Sequence, residues 1–178
     1  MTGQRTQMAT TSRRPPADAA AAALLAAGAT AFEELGFLFV APELPEGRAR
    51  AAGVVASVAF RGPFDGSLVV EMDGSLLAPL AENMLGDEEA PSPAMQDDAF
   101  GELANVICGH TLTRLAGARA SFRLAAPRVH GSGEEVEGRQ AVGGPRAALA
   151  QVTLPLEAGW ARLTLLLDEQ PSAERAAP

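Results

Sequence analysis

Lysine and tyrosine are absent from the 178 residues, and cysteine occurs once. Without lysine there can be no Schiff-base chemistry and no phosphate-binding loop of the kind that ends in lysine. The lone Cys108 excludes an internal disulfide and any multi-cysteine zinc site. Two histidines, His110 and His130, are too few for a histidine-rich metal centre. Aromatic residues make up only 4%, so a core must be built mainly from Leu, Val and Ala, and an apolar fraction of 47% suffices for one. No run reaches the roughly 18 strongly apolar residues that span a bilayer. The Ala-rich stretch after Arg13 and Arg14 runs into Phe32-Glu33-Glu34 without a cleavage context, so it reads as a helix and not as a secretory leader. Positive charge is also scarce. Fourteen basic residues, all Arg, face 22 acidic ones, a formal net charge of -8 that argues against nucleic acid as a partner. The expectation is one acidic domain, cytoplasmic, with no membrane association.

Residues 1–16 are polar, contain Pro15-Pro16, and read as a disordered leader; residues 17–168 read as the folded domain, and 169–178 as a flexible tail. Asp18 is a candidate cap for a helix that runs to about Leu35 and stops at Gly36. A Pro-rich loop, residues 42–47, leads to two short strands, 53–60 and 67–72. Val54, Val58 and Phe60 alternate onto one face of the first, and Leu68, Val70 and Met72 onto one face of the second. The turn chemistry of residues 61–66 predicts a hairpin between them. Gly74-Ser75-Leu76 opens a second helix that ends at Gly86, and a third spans about 94–116. A short strand over 121–126 stops at Pro127, residues 128–145 read as an exposed excursion, and strands 148–156 and 160–167 close the chain. Consecutive strands joined by tight turns pair antiparallel. The expected architecture is therefore α+β, two layers, an antiparallel sheet packed with long helices.

The third helix carries the chemistry. At about 100° per residue, Asp98, Glu102, Asn105 and Gly109 fall within an arc of roughly 60°, with Phe100, Leu103, Val106 and Ile107 assigned to the opposite side. The apolar side must face the sheet, which leaves the polar stripe outward. A carboxylate and a carboxamide one turn apart can act together: the acid attracts a cation, and the amide orients a water through both a donor and an acceptor. Gly109 at the end of the stripe removes bulk, so another surface can approach the helix backbone.

Asp98-x3-Glu102-x2-Asn105, followed after 21 residues by Pro127, resembles the signature of the CheC/CheX/FliY chemotaxis phosphatases. Glu102-Leu103-Ala104-Asn105-Val106-Ile107-Cys108-Gly109 is similar to that family's E-L-x-N-x-I-x-G stretch. The segments 58–62, 66–70, 80–86 and 122–129 resemble its strand pair, its following helix and its proline-bearing segment, so the likeness spans about Leu24 to Leu167. Only one such motif is present: the first helix has none, and Glu82-Asn83 is adjacent and cannot present both side chains on one face. A single site resembles the CheX-like branch.

That resemblance implies a phosphatase for the aspartyl phosphate of a CheY-type response regulator, and a homodimer. Glu102 and Asn105 would be catalytic, Glu102 pairing with a receiver lysine and Asn105 orienting the attacking water; Asp98, Gly109 and Pro127 would support them. No cofactor on this chain is implied, because Mg²⁺ comes with the partner receiver. A non-catalytic receiver-binding adaptor, or a motor-switch-like module of the same fold, is the alternative, and a structural dimerisation domain is a third. Cys108-x5-Arg114 has the spacing of a cysteine phosphatase loop, but a mid-helix thiol has neighbouring N–H groups already used in helix bonds. His110 is expected against the apolar side of its helix as a packed or rim residue, and His130 sits in the glycine-rich excursion, where the sequence identifies no catalytic triad. Trp160 reads as core or interface.

Overall fold

The computed structural model describes residues 14–43, 53–86, 90–130 and 146–168. The expected leader and tail, the centre of the acidic loop and residues 131–145 of the excursion lie wholly or mostly outside them. Helix α1, Ala17–Glu34, opens the described chain. Asp18 does not cap it: Pro16 holds the cap position without a side-chain bond, and Asp18 sits in the first turn, where its charge complements the helix dipole. At the other end the positive φ falls on Phe37 (50°) and not on Gly36. Gly36 is required for room instead, since a Cβ there would stand 2.9 Å from both the Phe32 carbonyl oxygen and Leu80 Cδ1.

Strands β1 (Gly53–Arg61) and β2 (Gly66–Asp73) form the expected hairpin, with Val54, Ala56, Val58 and Phe60 opposite Met72, Val70, Leu68 and Gly66. The large members of both sets are buried on the helical side of the sheet. A 3₁₀ turn, Gly74–Leu76, leads into α2, Leu77–Leu85. Asp73 caps the 3₁₀ turn by accepting from the Ser75 N–H at 2.9 Å and the Ser75 hydroxyl at 2.6 Å, and Gly86 (φ 67°) ends α2. Helix α3, Pro93–Ala116, begins with Pro at its first position and the Ser92 hydroxyl accepting from the Met95 N–H, and ends at Gly117.

Next come β3 (Arg123–Leu124) and β4 (Arg128–His130), which both pair antiparallel with β1. Residues 128–130 are therefore sheet, not the start of an excursion. Three residues are too few to show the period-two pattern that marks longer strands. Strands β5 (Arg146–Leu156) and β6 (Gly159–Asp168) close the sheet as a hairpin. The main strand order is β3-β1-β2-β6-β5, with every pairing antiparallel.

The helices lie on one face of this sheet, giving the two-layer α+β arrangement. α1 packs over β5 and β6: at Gly28 an added Cβ would stand 2.7 Å from Leu154 Cδ1 and closer still to Leu163. α3 lies beside α1, with α2 against it and β1 beneath. Phe32, Phe60 and Phe100 are the largest fully buried side chains, set among Leu, Val and Ala as the composition requires. Trp160 is also buried, and the Arg162 guanidinium lies 5.4 Å from its ring centre while bridging to Glu71 at 2.9 Å.

Candidate functional site

Because α3 is packed by helices on its flanks as well as by the sheet, its buried surface is wide. It includes Ala99, Phe100, Gly101, Leu103, Ala104, Ile107, Cys108, Thr111 and Leu112. What remains uncovered is a narrow outer strip holding the predicted residues. Asp98 and Glu102 are exposed, and Asn105 and Gly109 are half-buried. Among the described residues, the side chains of Asp98, Glu102 and Asn105 have no hydrogen-bond or ion-pair partner. Acid and amide thus stand one turn apart on a rigid helix, their Cβ atoms roughly 5–6 Å apart, with their bonding capacity unused. A Cβ built on Gly109 would meet nothing within 4 Å, so the strip ends in bare, approachable backbone.

Two helix assignments need correction. Val106 is only half-buried, and His110 is exposed. Val106 follows Glu102 by four residues and therefore borders the outer strip. His110 follows Val106 by four and lies on the same margin of α3.

Pro127 is brought against α3 through space. It lies between β3 and β4, both bonded to β1, and its ring rests on α3 at Gly101. An added Cβ on Gly101 would stand 3.0 Å from Pro127 Cγ and 3.4 Å from its Cβ. Phe122, just upstream, is edge-on to Phe60 at 6.0 Å and to Phe64 at 5.1 Å between ring centres, which anchors this segment at the tip of the β1–β2 hairpin. Pro127 was named through the family resemblance, whereas Gly101, the residue it meets, was not singled out in the sequence. The available signal was a glycine in mid-helix directly before the acid, where glycine is disfavoured.

Cys108 is buried in mid-α3, and burial pushes its thiol from 9.0 up to about 12. Such a thiol is the opposite of a nucleophile, so the Cys-x5-Arg spacing has no catalytic meaning here. Among the described residues, no three His, Cys, Asp or Glu side chains gather in a way that could hold a metal ion, and no helix is long and apolar enough to cross a membrane.

Fold and strip together define an α+β domain that offers an unpartnered acid–amide pair on an outer helix face. The family model for the chemotaxis phosphatase CheX matches residues 54–146, just over half of the chain. The chain belongs to the CheX family, and thereby to a family of chemotaxis phosphatases. A crystal structure of the chemotaxis protein CheX from Desulfovibrio desulfuricans is similar with a TM-score of 0.63 and 21% identity, covering 84% of this chain and 99% of that one. CheX from Vibrio vulnificus gives 0.61 and 22% over 84% and 96%. The CheX of a CheX–CheY–BeF3–Mg²⁺ complex from Borrelia burgdorferi gives 0.58 and 16% over 83% and 97%. At these identities the structures establish the shared fold. No curated protein matches the chain by sequence.

Proposed function

We propose that this protein accelerates hydrolysis of the aspartyl phosphate of a CheY-type response regulator, using Asn105 to orient the attacking water and Glu102 to pair with a receiver lysine. The observation that carries this reading is the free acid–amide pair on the outer strip of α3, beside the approachable backbone of Gly109. The Borrelia burgdorferi complex supports it, because there a CheX of this fold is assembled with CheY.

The chemistry asks little of this chain. Water attacks phosphorus, the bond from phosphorus to the aspartyl oxygen breaks, and the electron pair leaves with the carboxylate. The water's proton ends on phosphate or solvent. Mg²⁺ held by the receiver would neutralise phosphoryl charge. The phosphatase supplies position, the main source of rate in phosphoryl transfer. Asn105 suits the task because a carboxamide accepts from the water through its oxygen while its N–H groups donate. Glu102 sets the register by meeting an ammonium group, an interaction that gains strength once docking excludes water. Asp98 borders the same strip and Pro127 walls its flank. The same reading carries a cytoplasmic location and a homodimer, which light scattering on the purified protein checks.

The test is phosphate loss from a phosphorylated receiver domain. Wild type is expected to accelerate it, Asn105→Ala to abolish the acceleration and Glu102→Ala to reduce it strongly, with unchanged folds. Wild-type rates from both variants would sink the reading. Complex formation without acceleration by any of the three would make the protein a receiver-binding adaptor instead.

A further inference from the structure

We propose that Gly101 is a positioning residue, which fixes the seat of Pro127 against α3 and through it the wall beside the Asn105 carboxamide. This rests on the phosphatase reading above and adds a residue to it. Glycine inside a helix is disfavoured against alanine, so a glycine at the middle of α3 needs a reason. The close approach of Pro127 gives one: the Cβ that alanine would bring stands 3.0 Å from Pro127 Cγ and 3.7 Å from Val129 Cγ2. The proline cannot simply recoil. On one side the Ala125 N–H donates to the Ala59 carbonyl at 2.8 Å, and on the other Arg128, Val129 and His130 are in register with Ser57, Ala56 and Val55.

Gly101 lies four residues before Asn105, on the same side of the helix, whereas Glu102 points about 100° away. The proline seated on Gly101 therefore flanks Asn105 and leaves Glu102 open. Exposure follows that division, with Asn105 half-buried and Glu102 exposed. A methyl at position 101 displaces the wall by a few tenths of an ångström and misplaces the amide it borders. By contrast, a methyl at Gly109 has open space.

The test compares Gly101→Ala, Pro127→Ala and the double variant in single-turnover decay of a phosphorylated receiver. Gly101→Ala is expected to lower the saturating rate about tenfold while the half-saturating concentration changes less than twofold, since orientation is lost and docking is kept. Pro127→Ala removes Cγ, the atom met first, so Gly101→Ala should cost nothing further in that background. Multiplying losses, or a wild-type rate from Gly101→Ala, would overturn the proposal. A second readout is independent of activity: the side-chain amide signals of Asn105 in a ¹⁵N spectrum should move in Gly101→Ala and in Pro127→Ala. If they stay in place in both, the proposal fails. If Gly101→Ala does not fold, Pro127→Ala alone decides through the same signals. Should wild type fail to accelerate phosphate loss, the phosphatase reading falls while the amide signals still decide whether Gly101 and Pro127 set the position of Asn105.

Discussion

Asn83 donates from Nδ2 to the carbonyl oxygen of Gly36 at 2.7 Å, tying the end of α2 to the end of α1. Its amide is thus committed to the scaffold, while that of Asn105 is held ready at the surface. This explains in structural terms why Glu82-Asn83 is no second motif.

Removing that tie should affect stability and nothing else. Asn83→Ala loses one hydrogen bond and is expected to cost about 1 kcal/mol. For a domain of this size the thermal midpoint should fall by about 2–4 °C, while phosphatase activity is retained. Thermal denaturation followed by circular dichroism checks the first half and receiver dephosphorylation the second. A loss of activity at an unchanged midpoint would show that Asn83 belongs to the site.

Alkaline stability isolates Cys108. Burial raises its pKa from 9.0 to about 12 in the folded chain. Between those values the unfolded chain releases the thiol proton and the folded chain keeps it, so unfolding is favoured and stability falls as pH rises. The slope should be clean, because the chain has no lysine or tyrosine to titrate in the same window. Urea denaturation from pH 8 to pH 11 should show this decline in wild type and a flat profile in Cys108→Ala. Equal slopes would contradict the burial account. Cys108→Ala should also keep its phosphatase activity.

Much of this architecture was legible in advance, for physical reasons that differ between elements. The β1–β2 hairpin was readable because alternation places Val54, Val58 and Phe60 on one face and turn residues interrupt the pattern. The outer strip of α3 was readable because helix geometry fixes which residues share a side, whatever the helix packs against. Contacts distant in sequence were not readable. Gly101 meets Pro127 only after the segment around Pro127 has paired with β1, and Arg128–His130 is too short to advertise itself as a strand. The margin of α3 was misjudged at Val106 and His110 because burial at the edge of a helix depends on neighbouring elements that the helix's own sequence does not place. Gly36 was readable as the stop of α1, but the crowding of Leu80 and the Phe32 carbonyl around it was not.

Gly109 tests the docking face separately from catalysis. Nothing lies within 4 Å of a Cβ built there, so a side chain can leave the helix without a clash at its first atom, and replacing the helical glycine in Gly109→Leu should hold or raise the thermal midpoint. A bulky side chain on the strip should nevertheless weaken binding of a beryllofluoride-activated receiver at least about tenfold, or about 1.4 kcal/mol. Titration calorimetry reads this directly. Undiminished affinity would remove the strip from the interface.

The most direct measurement is the decay of a phosphorylated receiver at saturating protein, with wild type beside Asn105→Asp. The substitution preserves shape but replaces a donor–acceptor amide with an acceptor-only carboxylate. The expected result is clear acceleration by wild type and decay at the spontaneous rate with Asn105→Asp, although the receiver is still bound. An Asn105→Asp protein as fast as wild type would contradict the claim that this amide orients the water.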